Sequence, residues 1–351
     1  MIRLVLSVLA LLIATAAVAG PVPEAVSHHG AQTGGRALVI RGTTDIAIFS
    51  PALDLFAKTR PGLAITYEQW GSNALYLTAA EACAAGAGEA DLLVSSSVDQ
   101  LVKLVNDGCA RPHRSALTDA LSPDHNWRNE IFGVSQEPAV MIYNRRFVPP
   151  GDAPETRFDL IDMLRPGNSP YAGRVATYDI EASGLGYLFA FMDSRQATTF
   201  GSLIEAFGRS GAIATCCSAE IIDGVARGDY AIAYNVLGSY ALARAENNPD
   251  LVVVAPRDYT LVLSRAAMIP KGARDPETAA AFIDFLLSDA GRRVLAQQRL
   301  ILSNTSISAL DPGEGDLALR SIPLSPVLLA GLDRARRARF LDLWRATFQA
   351  K

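Results

Sequence analysis

An apolar run that ends in a polar turn and hands over to a helical pattern recurs along this chain, and that recurrence constrains its fold more than any other feature. The run "ALVIRG" (37–42) leads into Thr43, Thr44 and Asp45, after which Ile46, Phe49, Leu53 and Phe56 fall on one face of a helix that "RPG" ends. "LAITYEQW" (63–70) reads as the next strand, followed by a helical segment carrying Leu75 and Leu77. In "ADLLVSSSVDQLVKLVNDG" (90–108) a third strand meets Ser95, Ser96 and Ser97, then a helix with Val98, Leu101, Val102 and Val105 on one side, closed where Gly108 supplies a left-handed residue. Alternation of this kind predicts a parallel or mixed sheet covered by helices on both sides.

The pattern then breaks and restarts. "FGVSQEPAVMIYNRRF" (132–147) is an extended apolar crossing, and the turn-rich stretch 148–173 holds one helix around Leu160 to Leu164. A second series begins at "GRVATYDIEASGLGYLFAFM", where a strand through Val175 and Ala176 reaches a turn and a helix from Gly184. "GDYAIAYNVLGSYALARA" (228–245) repeats the arrangement, with Asn235, Gly238 and Ser239 in its turn. Residues 251–270 supply two short extended runs, the second a candidate return crossing, and paired helices follow. The fold class expected is α/β with two lobes, each a mixed sheet flanked by helices, joined by two hinge crossings around a ligand cleft. Lobe 1 is expected to comprise 36–141 and 262–351, and lobe 2 142–261, with hinges near 140–144 and 256–262.

The first twenty residues carry an export signal. Arg3 precedes the apolar "LVLSVLALLIATAAV", and Ala17-Val18-Ala19 supplies small residues for cleavage before Gly20, so 1–19 is expected to be removed and the remainder to be periplasmic. The apolar run falls short of the roughly 20 residues a membrane span needs. Residues 20–35, rich in Gly, Pro and Ala, read as a loose leader. A net charge of -4, becoming -5 once Arg3 is removed, argues against nucleic acid as a partner. The densest basic run, "DRARRARF", fits the solvated face of a C-terminal helix.

In an oxidising compartment Cys83 and Cys109 can pair, as can one of the neighbours Cys216 and Cys217, and connectivity stays open from sequence. The adjacent pair suggests thiol chemistry with a metal or arsenical, but no histidine lies nearby, and buried small hydrophobes are the commoner role. There is no phosphate-binding Walker loop, Gly-x-Ser-x-Gly elbow, His-Glu-x-x-His or dinucleotide glycine fingerprint, so neither an enzyme nor a cofactor is expected. His28 and His29 fall in the leader, and His113 and His125 in loop-like, exposed surroundings.

Hydroxyls gathered where strands give way to helices have a physical reading, because ligands of open α/β sheets bind at strand carboxyl ends, where helix N-termini present unpaired N–H groups. The candidates are Thr43, Thr44, Ser96 and Ser97 from the first series, with Tyr178, Ser183, Asn235 and Ser239 from the second. Asp45 is expected to cap its helix, Asp179 to cap or to meet an amine, and Trp70 to wall the cleft or join the core.

The segments "RGTTD", "ADLLVSSSVDQLVKLVNDG", "EPAVMIYN", "GDYAIAYNVLGSYA" and "AMIPKGARDPETAAAFIDFLLSDAG", in that order from about Arg36 to Gln298, resemble the type 2 periplasmic solute-binding proteins of ABC transporters. The nearest likeness is to the extracellular family that includes ferric-ion and phosphonate receptors. The resemblance implies a monomer that captures a small solute by hinge closure and delivers it to an ABC permease, with a sensing subunit for a membrane kinase as the alternative. An exported enzyme is the third class. Ferric receptors of this kind use tyrosine phenolates with carboxylate help, which here would mean Tyr234, Tyr240, Glu68 and Glu137. The two tyrosines stand six positions apart and the first strand ends without His or Tyr, so an oxygen-rich anion such as a phosphonate, phosphate ester or carboxylate is the better expectation.

Overall fold

A computed structural model describes residues 20–31, 36–196, 198–311 and 317–348. The expected signal segment lies outside these residues. Among them, no helix is long and apolar enough to cross a membrane.

Two sheets organise the described chain. The first runs in the order Ala25–Gly30, Leu63–Gln69, Arg36–Gly42, Leu92–Ser95, Ala266–Pro270, Ile131–Gly133 and Asn126–Trp127, with Ala110–Arg111 paired to Ala266–Pro270. Arg36–Gly42 is parallel to both of its neighbours, whereas Ala266–Pro270 returns antiparallel to Leu92–Ser95. The second sheet runs Ile213–Thr215, Val175–Tyr178, Ile232–Leu237, Glu137–Asn144, Thr260–Leu263 and Leu319–Ser321, with Leu251–Val254 also on Glu137–Asn144. Its first three strands are parallel, and Glu137–Asn144 enters antiparallel between Ile232–Leu237 and Thr260–Leu263. All eight residues of Glu137–Asn144 are buried, as the apolar run between its polar ends requires of a central strand.

Local chemistry sets the helices. In Ile46–Lys58 the apolar stripe Phe49, Leu53 and Phe56 is buried, and Phe56 meets Phe282 of Pro276–Leu287 edge-on at 4.9 Å between ring centres. Each such ring contributes roughly 1.5–3 kcal/mol by leaving water. Val98–Asn106 buries Val98, Leu101, Val102 and Val105 and stops where Gly108 takes φ +76°. Thr156 and Ser115 start their helices with reciprocal capping bonds.

Three expectations are corrected. The leader is not loose throughout: Ala25–Gly30 pairs along its length with Leu63–Gln69 as an edge strand. Gly30 sits at φ +78°, and a Cβ there would meet the Leu63 carbonyl at 2.2 Å, so glycine alone fits that turn. The sheets are linked at 134–136 and 264–265, a few residues from the expected hinges, which fall inside strands or the loop before one. Finally, the C-terminal segment does not all belong to lobe 1. Pro276–Leu287 and Asp289–Gln297 contribute to the lobe 1 core, but Leu319–Ser321 joins the second sheet and Arg334–Phe348 places Leu341, Trp344 and Phe348 in the lobe 2 core. The chain therefore crosses a third time near Leu300 and Leu302, whose backbone bonds to Gln136 follow the first crossing. The basic run on this last helix is largely exposed.

Candidate functional site

The two lobes face each other across a cavity of about 220 Å³. Lobe 1 lines it with Thr43, Asp45, Gln69, Trp70, Ser72 and Ser96, joined by Glu24 just before the edge strand. Lobe 2 answers with Tyr178, Ser183, Leu185, Cys216, Cys217 and Ser218, together with Leu237 and Tyr240.

Nearly every polar member stands at a strand-to-helix junction. Thr43 Oγ1 accepts from the Ser96 N–H at 3.0 Å and lies 3.1 Å from Ser96 Oγ, tying two junctions of lobe 1 together. Ser183 precedes Gly184–Gln196, and its Oγ accepts from the Gly186 N–H. The Tyr178 hydroxyl is bonded to Ser218 Oγ, and burial raises its pKa well above the ordinary phenol value.

Several helices reach the cleft without a cap from their own N-cap side chain, and two of them start directly on it from opposite lobes. Gly71 precedes Ser72–Ala85 in lobe 1, and Cys217 precedes Ser218–Arg227 in lobe 2. Their N-termini, each carrying roughly half a positive charge, border the cavity from opposite lobes. Asp45 does not cap Ile46–Lys58 either. Its carboxylate accepts from the Tyr240 hydroxyl across the lobes at 3.1 Å, and Gln69 Oε1 accepts from the Ile46 N–H instead.

Thr43, Ser96, Tyr178 and Ser183 thus meet in one cleft, and the other four anion candidates do not. Thr44 is buried, its Oγ1 accepting from Arg265 and its carbonyl from Tyr67. Ser97 is buried, with its Oγ unpartnered. Asn235 lies within the strand Ile232–Leu237 at φ +64°, donating to Asp193. Ser239 donates to Glu137. In each case the residue turns into the protein, because a junction presents only part of its side chains to the cleft.

The iron set is likewise not assembled. Tyr234 faces the lobe 2 core, where it accepts from Arg157 at 2.5 Å and donates to Asp193 at 2.7 Å. Glu68 is held by Arg41 and Trp70, and Glu137 by Arg265. Of the four, only Tyr240 lines the cavity. Burial pushes the Tyr234 and Tyr240 hydroxyls far above the ordinary phenol value.

Among the remaining expectations, Trp70 is both core and wall. Asp179 accepts from the Glu181 and Ala182 N–H groups and so stabilises its own turn. His113 is half-buried and bonded to Asp284, and His125 to Ser122. Cys83 and Cys109 form a disulfide. Cys216 and Cys217 are bonded to each other and exposed in the cleft, not buried as small hydrophobes.

Sequence reasoning missed Ser72, Gln69, Glu24 and the Cys216–Ser218 corner. The corner had a usable signal, since "TCCSAEIIDGVARG" is one more extended run meeting a helix. Glu24 had none, because only long-range pairing of Ala25–Gly30 brings it to the cleft.

Two lobes, crossing strands and a polar cavity between them are the architecture of a solute-binding receptor. The chain belongs to the bacterial extracellular solute-binding protein family, whose model matches residues 38–298. It is similar to the substrate-binding protein of an ABC transporter from Agrobacterium tumefaciens, with 31% identity over 94% of this chain and 100% of that one and a TM-score of 0.86. Its fold is shared with the periplasmic binding protein AfuA from Actinobacillus pleuropneumoniae, solved with fructose-6-phosphate, at 17% identity, 91% and 100% coverage and a TM-score of 0.71. Iron-bound HitA from Pseudomonas aeruginosa shares it at 16% identity, 89% and 99% coverage and a TM-score of 0.64. A search of curated proteins finds no match. The architecture is thus the type 2 periplasmic-binding-protein fold.

Proposed function

We propose that this protein is exported by cleavage before Gly20 and captures an oxygen-rich small anion between its lobes for an inner-membrane ABC permease. The observation that carries the reading is the pair of uncapped helix N-termini, at Ser72 and at Ser218, that flank one cavity from opposite lobes. An anion between them gains from both helices at once, and gains only when the lobes are together. The hydroxyls of Thr43, Ser96, Ser183 and Ser218 and the phenol of Tyr178 add neutral donors. Among the described residues no Lys or Arg lines the cavity, so the donors there are neutral groups and helix N-termini.

Glu24 and Asp45 also line the cavity and oppose a second anionic group on their side. They suit hydroxyls, which donate to carboxylates. A hydroxylated monoanionic or dianionic solute, such as a sugar phosphate or hydroxy acid, therefore fits better than a bare polyanion.

The test is a thermal-shift panel on the mature protein, unfolded and refolded without reductant to strip bound solute. A solute at about 100 times its Kd adds roughly 2.7 kcal/mol of stability. A shift with phosphate esters or hydroxy acids, weakened by Ser96→Ala and Ser218→Ala, is the expected outcome. A shift with ferric citrate alone would overturn the anion reading.

A further inference from the structure

Cys216 and Cys217 form a disulfide between adjacent residues, and both side chains are exposed in the cleft. They occupy the corner between Ile213–Thr215 and Ser218–Arg227, with Cys217 itself at the N-cap. A serine, threonine or aspartate there would accept a backbone N–H; Cys217 makes no such side-chain cap. It also offers no N–H or O–H of its own, and sulfur is only a weak acceptor. The corner therefore presents a compact, polarisable, apolar face beside a row of backbone donors.

Its neighbours extend that face. Ala182, Leu185, Ala219 and Leu237 also line the cavity. Closing two consecutive residues into a ring removes rotamers that an open pair would lose on binding, so the surface is preorganised for contact. On the far side Glu220, which does not line the cavity, brings Oε2 to 3.2 Å from Cys216 Sγ and 4.0 Å from Cys217 Sγ. Bonded sulfurs have no proton to donate to it. A dithiol would have two, so reduction exchanges an apolar surface for a polar thiol–carboxylate group.

We propose that the Cys216–Cys217 disulfide is a solute-contacting surface, and that the solute accordingly carries a saturated carbon–hydrogen face as well as an anionic group, as a sugar phosphate does. The proposal rests on the anion reading above and adds the apolar half of the ligand. Sulfur is soft enough to pack against such a face, and removing that face from water supplies affinity that a bare inorganic anion cannot gain.

The experiment is isothermal titration of the mature protein with fructose 6-phosphate and with inorganic phosphate. It compares the native chain, Cys216→Ala/Cys217→Ala, and the matched control Cys83→Ala/Cys109→Ala. The native chain and the control are expected to prefer the sugar phosphate by about tenfold. The cleft variant should lose that preference while its phosphate affinity stays within about twofold. An unchanged preference in the cleft variant overturns the proposal and leaves the anion reading standing. Failure of the native chain to bind either probe overturns both.

A second measurement needs no variant. Dithiothreitol reduces the cleft disulfide by exchange, delivering one hydrogen to each sulfur and leaving as its own cyclic disulfide. Alkylation of Cys216 and Cys217, followed by peptide mass spectrometry, reads the rate. Fructose 6-phosphate is expected to slow it several-fold without slowing reduction of Cys83–Cys109, and equal rates with and without the sugar phosphate would overturn the contact.

Discussion

Two buried arginines anchor this molecule in different ways. Arg157 lies in the lobe 2 core, donating to Asp193, Asp258, the Tyr234 hydroxyl and the Tyr259 carbonyl, with its guanidinium carbon 3.6 Å from the centre of the Tyr259 ring. Every one of these partners belongs to the same lobe. Arg265 lies in the return crossing and reaches Glu137 at 2.8 Å, where the outward crossing ends, and Thr44 of lobe 1 at 3.0 Å. Glu137 in turn accepts from Ser135 in the outward crossing and Ser239 of lobe 2. The same ion-pair chemistry is scaffolding within one lobe in one place and a link between the two lobes in the other. A buried pair is a poor source of net stability but costs heavily when one partner is lost, so location decides what each loss disturbs.

The sharpest break is Arg157→Met. It strands Asp193 and Asp258 together and should cost about 4–5 kcal/mol, read by urea unfolding, with early loss of lobe 2. A loss under about 1 kcal/mol would show that the tyrosines and Asn235 satisfy Asp193 without the cation. Arg265→Met should cost somewhat less, about 3 kcal/mol, because two serine hydroxyls still serve Glu137. Its distinguishing effect is on the lobes: solution scattering should broaden the distribution of lobe separations. An unaltered profile would make Arg265 ordinary scaffolding like Arg157.

A third buried carboxyl sharpens the comparison. Asp99, on the lobe 1 helix Val98–Asn106, has an Oδ1 without a partner, and burial pushes its pKa up to about 7. Bonds from the Gln100 and Asp99 N–H groups and the charge of Arg337 offset part of that rise. Below about pH 4 both the folded and unfolded forms hold the proton, and the residue is neutral to stability. Between about pH 4 and 7 only the folded form retains it, so stability falls as pH rises and the deficit is complete above 7. Asp99→Asn should therefore raise stability by a few kcal/mol at pH 8 and leave it unchanged at pH 4. Equal gains at both pH values would locate the effect elsewhere. The smallest effect expected is Ser96→Ala, about 1 kcal/mol of solute affinity, because Thr43 keeps part of the junction in place.

The contrast also shows what sequence could and could not reveal. The helix Val98–Asn106, the strand start at Val175 and the helix start at Gly184 follow local rules of periodicity and glycine stops, and were legible. Thr43, Ser96, Tyr178 and Ser183 were reachable for the same reason, since a strand end predicts where a hydroxyl stands. Which way it turns is decided by packing across the lobes. Ser239 was drawn to Glu137 and Thr44 to Arg265, partners 102 and 221 residues away. The Arg265–Glu137 joint had no local signature, because its partners stand 128 residues apart. The return of Arg334–Phe348 to lobe 2 depends on Trp344 and Phe348 finding Phe207, a contact no periodicity announces.

The most direct measurement is small-angle X-ray scattering of the protein taken from the periplasm, before and after its solute is stripped by unfolding and refolding without reductant. The account predicts a more compact particle before stripping, expansion after it, and recovery when the released small molecules are returned. Identical curves, with no small molecule released on unfolding, would contradict capture of a solute between the lobes.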